Sequence, residues 1–174
     1  ACGDVAGPYQ FTHMASHQAW YAAVNALFGR FRRFKVDYSV VPWATFTDPE
    51  VARVGLSEEE ARQQGISVEV TRYELDDLDR AIADGETQGF IKVLTEPGSD
   101  RILGATIVAS HAGEMISELS LALSAGLGLS RIATVIHPYP TQAEGIKAAA
   151  NSYMRTRLTP TAKRVLGLLL RLQR

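Results

Sequence analysis

Residues 137–145, HPYPTQAEG, gather an imidazole, a phenol and a carboxylate around two prolines. An imidazole titrates near neutrality and can carry a proton in either direction. A phenol, with an ordinary pKa of about 10, can donate a proton but is a poor base at neutral pH. The carboxylate also has a structural explanation. Thr141-Gln142-Ala143-Glu144 has the spacing of a capping box, in which a hydroxyl and a carboxylate three residues on satisfy the free N–H groups of a helix start. His137, Tyr139 and Glu144 are therefore either members of an active site or the fittings of a helix N-terminus.

Other constellations are weaker. His13 and His17 lie four apart on a predicted helix, a spacing that can hold zinc, but the glutamate of HExxH is missing and no third ligand is evident, so no metal site is assigned. Cys2 is the single cysteine. It cannot cycle through an internal disulfide and reads as a small packed residue beside a turn. GLGLSR, residues 126–131, has the first two glycines of a dinucleotide fingerprint, but arginine stands at the third position and the motif follows a helix instead of a strand, so it reads as a helix stop.

The elements that must position these residues come from a chain of 174 residues, 46% hydrophobic, with a formal net charge of −1. That is enough to bury a sizeable core, and the balanced charge gives no broad attraction to nucleic acid or to an anionic membrane. No apolar run reaches the roughly 20 residues that span a bilayer. No secretion signal opens the chain, and the lone cysteine fits a reducing compartment, so a cytoplasmic setting is expected. The chain starts on ACGDVAG without methionine and reads as a cut through a longer protein.

Ala-rich FTHMASHQAWYAAVNALFG predicts one helix over about 12–28, with Thr12 as N-cap and Gly29 as stop. Basic FRRFK connects it to a β-branched, aromatic stretch, Tyr38 to Phe46, ended by the Asp48-Pro49 turn. Ser57 to Glu60 is a second capping box and opens a short helix. Val68–Glu74 alternates like a strand, and Gly89–Thr95 and Arg101–Ala109 form a hairpin about Glu96-Pro97-Gly98-Ser99-Asp100. From His111 the period becomes helical, with Ala112, Met115, Ile116, Leu119, Ala122 and Leu123 on one face and Glu114, Glu118 and Ser124 off it. Ser130 is expected to cap a short helix, and a longer one follows from about 142 to 157. Strands followed by helices predict an α+β unit built on an antiparallel sheet. Residues 161–173 set Val165, Leu168, Leu169 and Leu172 at helical spacing, with Lys163, Arg164, Arg171 and Arg174 nearby. This basic amphipathic helix packs either on protein or on a membrane surface.

ACGDVAG followed by QFTHMASHQA resembles the last FAD-contacting segment of the flavoprotein pyridine nucleotide-disulfide oxidoreductases. VPWATFTDPEVARVGLSEEEARQQG, the hairpin GFIKVLTEPGSDRILGATIVAS, HAGEMISELSLAL and PTQAEGIKAAA resemble, in order, that family's C-terminal interface domain. The resemblance implies that residues 1–36 end an FAD-binding domain, that 37–158 form the dimerisation domain and that 159–174 add the basic helix. It implies FAD held in part by Asp4, His13, Met14 and Ala15, where a helix N-terminus favours the charge of a reduced flavin. It further implies NAD(P)H as reductant, both cofactors being bound largely by an absent N-terminal region, a homodimer, and a small-molecule disulfide or a metal ion as substrate. The isolated segment is expected to be inactive.

In disulfide-reducing members, a histidine immediately before Pro-Thr is the acid and base, held by the glutamate of Pro-Thr-x-x-Glu and acting on the partner subunit's site. Here that position is Tyr139, and His137 lies two places earlier. The mercuric reductase branch is similar in carrying Pro-Tyr before this helix, although the vicinal cysteine pair at the end of those enzymes has no counterpart in TPTAKRVLGLLLRLQR. Tyr139 is thus the main catalytic candidate, with Glu144 as its companion and His137 as a substitute base or a structural residue. The other reading is a dimerisation or docking module without redox chemistry.

Overall fold

A computed structural model describes residues 1–172, which divide into two compact units, Ala1–Tyr38 and the chain from Ser39 onward. In the first, a 3-10 turn at Asp4–Ala6 precedes helix α1, Thr12–Phe28. Thr12 is the first helical residue and not the cap; that place falls to Phe11, which offers no side-chain acceptor. The buried amide of Gln18 ties the unit together. Its Oε1 accepts from the Gly3 N–H at 2.6 Å, and its Nε2 donates to the Gly7 carbonyl at 3.1 Å and the Tyr38 hydroxyl at 3.0 Å. Asn25 holds the returning connector through two 2.8 Å bonds with the backbone of Phe34.

The second unit is an antiparallel sheet of five strands, β1 Trp43–Thr45, β2 Glu50–Gly55, β3 Glu69–Glu74, β4 Phe90–Thr95 and β5 Ile102–Ala109, in the order β1-β2-β5-β4-β3. Only three residues of the Tyr38–Phe46 stretch are strand, and β2 takes up the chain after the Asp48-Pro49 turn. The register puts Ala52, Ile91 and Ile107 in one row and Val54, Val93 and Ala105 in the next, all buried on the same face. Helix α4, Ala112–Ser124, covers that face over β1, β2 and β5, and helix α6, Glu144–Thr156, covers it over β3 and β4. Leu119 and Ile146 are wholly buried, each stabilising the assembly by about 2 kcal/mol. The other face carries Arg53, Arg72 and Lys92. Arg53 lies over the ring of Trp43, and its guanidinium pairs with Glu60 of helix α2, Glu58–Gln63.

Caps explain how the helices are set. The Ser57 box is complete, with Ser57 Oγ accepting from Glu60 N at 3.1 Å and Glu60 Oε2 from Ser57 N at 2.8 Å. Helix α4 is capped from β2, where Glu50 accepts from Gly113 N at 2.8 Å. Helix α5, Leu129–Ala133, starts after Gly128, and Asp100 of the β4–β5 turn accepts from both the backbone and the hydroxyl of Ser130. Ser130 is therefore held by a cap instead of providing one. A Cβ at Gly128 would lie 2.3 Å from that carboxylate, so the second glycine of GLGLSR makes room for Asp100. Helix α3, Asp79–Asp84, was not expected from the sequence, and helix α7, Pro160–Leu172, ends the described chain. The side chains of Val165, Leu168, Leu169 and Leu172, and Arg174 altogether, lie outside the described residues.

Candidate functional site

Residues 134–143 link α5 to α6 and carry the imidazole and the phenol on different sides of the loop. His137 is turned inward. Its side chain is 5% exposed, and Nε2 lies 3.0 Å from both carboxylate oxygens of Glu118 on α4. Its Nδ1 is buried without a hydrogen-bond partner. Tyr139 is turned outward and is 71% exposed. Its hydroxyl bonds to the carboxylate of Asp79 at the start of α3, and that bond and charge push the phenol above its ordinary value, with the Glu144 carboxylate adding to the effect. The structure thus gives His137 and Tyr139 separate acidic partners and does not bring the two rings together around one proton.

Glu144 is the first residue of α6 and reaches back to accept from Thr141 N at 3.2 Å. The matching half of the expected box is missing, because the Thr141 hydroxyl donates instead to the Pro138 carbonyl at 2.8 Å. The two bonds stiffen the chain on either side of the cis Tyr139–Pro140 peptide. Beside Tyr139 is a shallow acidic groove lined by Asp77, Asp79, Glu144, Lys147 and Asn151. Across the loop, Arg80, Asp84, His111, Glu114 and Gln142 line a second, wider groove. There Arg80 pairs with Asp84 and holds its carboxyl below the usual range. Gln142 is 8% exposed, donates to Asp84 at 3.5 Å, and has a buried Oε1 without a partner.

In the first unit the expected flavin-side residues are neighbours. The Gly3-Asp4 turn rests against the first turn of α1, since a Cβ at Gly3 would lie 3.5 Å from the Ala15 Cβ. Asp4 and His13 are exposed, Met14 is buried and Ala15 is half-buried. The His13 ring stacks on Phe11 with centroids 5.1 Å apart. His17 meets Tyr21 edge-on.

Residues 41–150 match the family described as pyridine nucleotide-disulphide oxidoreductase, dimerisation domain. The chain belongs to that family. A dihydrolipoyl dehydrogenase of Chlamydia muridarum is 44% identical over 83% of this chain and 30% of its own length, and a mercuric reductase of Lysinibacillus sphaericus is 39% identical over 88% and 28%. Among solved structures, the HOCl-induced flavoprotein disulfide reductase RclA from Escherichia coli is similar at a TM-score of 0.79 and 29% identity over 87% of this chain and 34% of that one. Its Cu(II) complex gives a TM-score of 0.77. The chain thus spans about a third of these relatives, and the five-stranded sheet with α4 and α6 is their dimerisation fold.

Sequence reasoning missed Glu118 and Asp79 as partners of this loop. Glu118 was legible only as a residue off the apolar face of α4, and nothing local ties it to a histidine 19 positions later. Asp79 sits in an acidic stretch, DDLD, that reads as solvated surface.

Proposed function

We propose that this chain is the C-terminal part of an FAD-dependent, NAD(P)H-consuming oxidoreductase that works as a homodimer, with residues 137–144 facing the acceptor site of the partner subunit. The observation that carries the reading is Tyr139, which stands where the family's resemblance places the acid–base residue and is presented to the outside from a loop pinned by Glu144 and Thr141. A phenol is protonated at neutral pH and the Asp79 carboxylate raises its pKa further, so Tyr139 serves as a hydrogen-bond donor or a lining group and not as the base that dithiol exchange needs. A metal ion as acceptor fits this better than a disulfide, and the similarity to mercuric reductases and to a flavoprotein with a Cu(II) complex supports it. The dihydrolipoyl dehydrogenase relatives support a small-molecule disulfide instead.

FAD, when bound, would relay electrons from the nicotinamide to the acceptor. Asp4 would hold the ribityl chain, and the first turn of α1 at His13, Met14 and Ala15 would face the flavin. The fit rests on the contact between the Gly3-Asp4 turn and that helix start, which has no side-chain cap of its own. On this reading the segment alone is inactive.

The absorption spectrum of the intact protein tests the reading. It should show a bound flavin, bleached by NADPH and reoxidised by one of Hg(II), lipoamide and glutathione disulfide. A colourless dimer would overturn it. That result would favour a docking module without redox chemistry, the alternative that the inward-turned His137 also suits.

A further inference from the structure

Helix α4 differs from its neighbours in what it turns to solvent. The outer faces of α2, α3 and α6 carry charge: Glu58, Glu59 and Arg62, then Asp79 and Asp84, then Arg155. Beyond Glu114 in its first turn, where a helix N-terminus favours a carboxylate, α4 exposes Ser117, Leu121 and Ser124, at i, i+4 and i+7. Glu118 borders this stripe, but it is half-buried and bonded to His137. That bond lays the α5–α6 loop against α4, so Val135 and Ile136, 41% and 91% exposed, join Leu121, one helical turn from Glu118 and 68% exposed, in one apolar patch. At the other end of the stripe the exposed ring of Phe46 stands next to Gly113.

A helix face with apolar and small residues at its middle and charge only at its end has the composition of an interface core and not of a solvated surface. The matched family says what covers it. The patch lies wholly within residues 41–150, the part that matches a family described as a dimerisation domain. We propose that a second copy of this chain packs on this face, α4 against α4 about a twofold axis, with Leu121 and Ile136 at the apolar centre of the contact. A twofold contact uses the same patch on both copies, so each of these side chains counts twice, and the serines beside them let the two helices approach closely. Through Glu118, His137 fastens the loop that carries both Ile136 and Tyr139 to the helix that makes the contact, so the seam also sets where Tyr139 meets the partner. The inference rests on the homodimer proposed above and adds the surface that forms it.

Sedimentation velocity of the intact protein over a concentration series tests it. The unaltered protein should be a dimer. Ile136→Ala should raise the dissociation constant about a hundredfold, because the apolar side chain is lost from both copies. Leu121→Asp and Ile136→Asp should raise it further, to at least about a thousandfold, by placing a carboxylate at the centre of the contact. Ile82→Asp, at an exposed residue of α3 outside the patch, should leave it unchanged. Ile136→Ala brings no charge into the loop, and its circular dichroism spectrum, matching that of the unaltered protein, shows that the loss is one of association. A dimer indifferent to Leu121→Asp, Ile136→Asp and Ile136→Ala overturns the inference and leaves the homodimer standing. A protein that is monomeric at every concentration overturns both. Weakening by Ile82→Asp as large as that by the patch variants overturns the assignment of this face.

Discussion

Nε2 of His137 stands 3.0 Å from each oxygen of Glu118, joining the α5–α6 loop to the middle of α4. The imidazole is almost fully buried, so its partner cannot be replaced by water without rearrangement. Glu118→Ala should lower unfolding stability by about 1–3 kcal/mol in urea titrations, the cost of stranding a buried polar group. His137→Ala combined with Glu118→Ala should cost less than the sum of the two single changes.

Tyr139 meets its own acid on the other side of the loop. Asp79→Asn removes the first cause of the raised phenol pKa, so one tyrosine should titrate at lower pH in an ultraviolet absorbance titration. The difference should vanish in a Tyr139→Phe background.

Glu60 supplies a pH-dependent contribution. Its carboxyl is held below the ordinary value of 4.5 by the Ser57 N–H, followed by the Arg53 guanidinium. A depressed folded pKa means that the contribution is fully present above about 4.5 and fades as pH falls through the lower folded value. Glu60→Gln should therefore lower the melting temperature at pH 7 and approach the parent protein near pH 3. The side chain is 41% exposed, so solvent screening keeps the difference small.

Gly128 should tolerate no side chain without loss. Gly128→Ala places a Cβ against the Asp100 carboxylate and should cost about 1–3 kcal/mol in thermal or urea unfolding, the usual size of overpacking at a tight contact.

The fold was legible where the signal is periodic and long. Thr12–Phe28, β3 to β5 and α4 follow from hydrophobic spacing and turn residues, and the Ser57 box appears with both bonds. α3 escaped because six residues, DRAIAD, are too few for a period to show, and its place is set by Leu78 and Ala81 packing into the core. The second box failed in one half because Pro138 and Pro140 bend the loop so that the Thr141 hydroxyl meets a carbonyl before it can meet the helix. Of the site, the motif gave Tyr139 and Glu144, while the two acids that orient the loop come from α3 and α4 and only folding brings them there.

Turnover of NAD(P)H by hybrid dimers of the intact protein tests most directly whether Tyr139 serves the neighbouring subunit. Subunits carrying Tyr139→Phe are mixed with subunits whose redox cysteines, expected upstream of this segment, are replaced by serine. Each parent homodimer should be slow, and the hybrid should regain acceptor reduction at the one site that combines intact cysteines with a tyrosine from across the interface. A hybrid as slow as its parents, or a Tyr139→Phe homodimer as fast as the unaltered enzyme, would contradict the account.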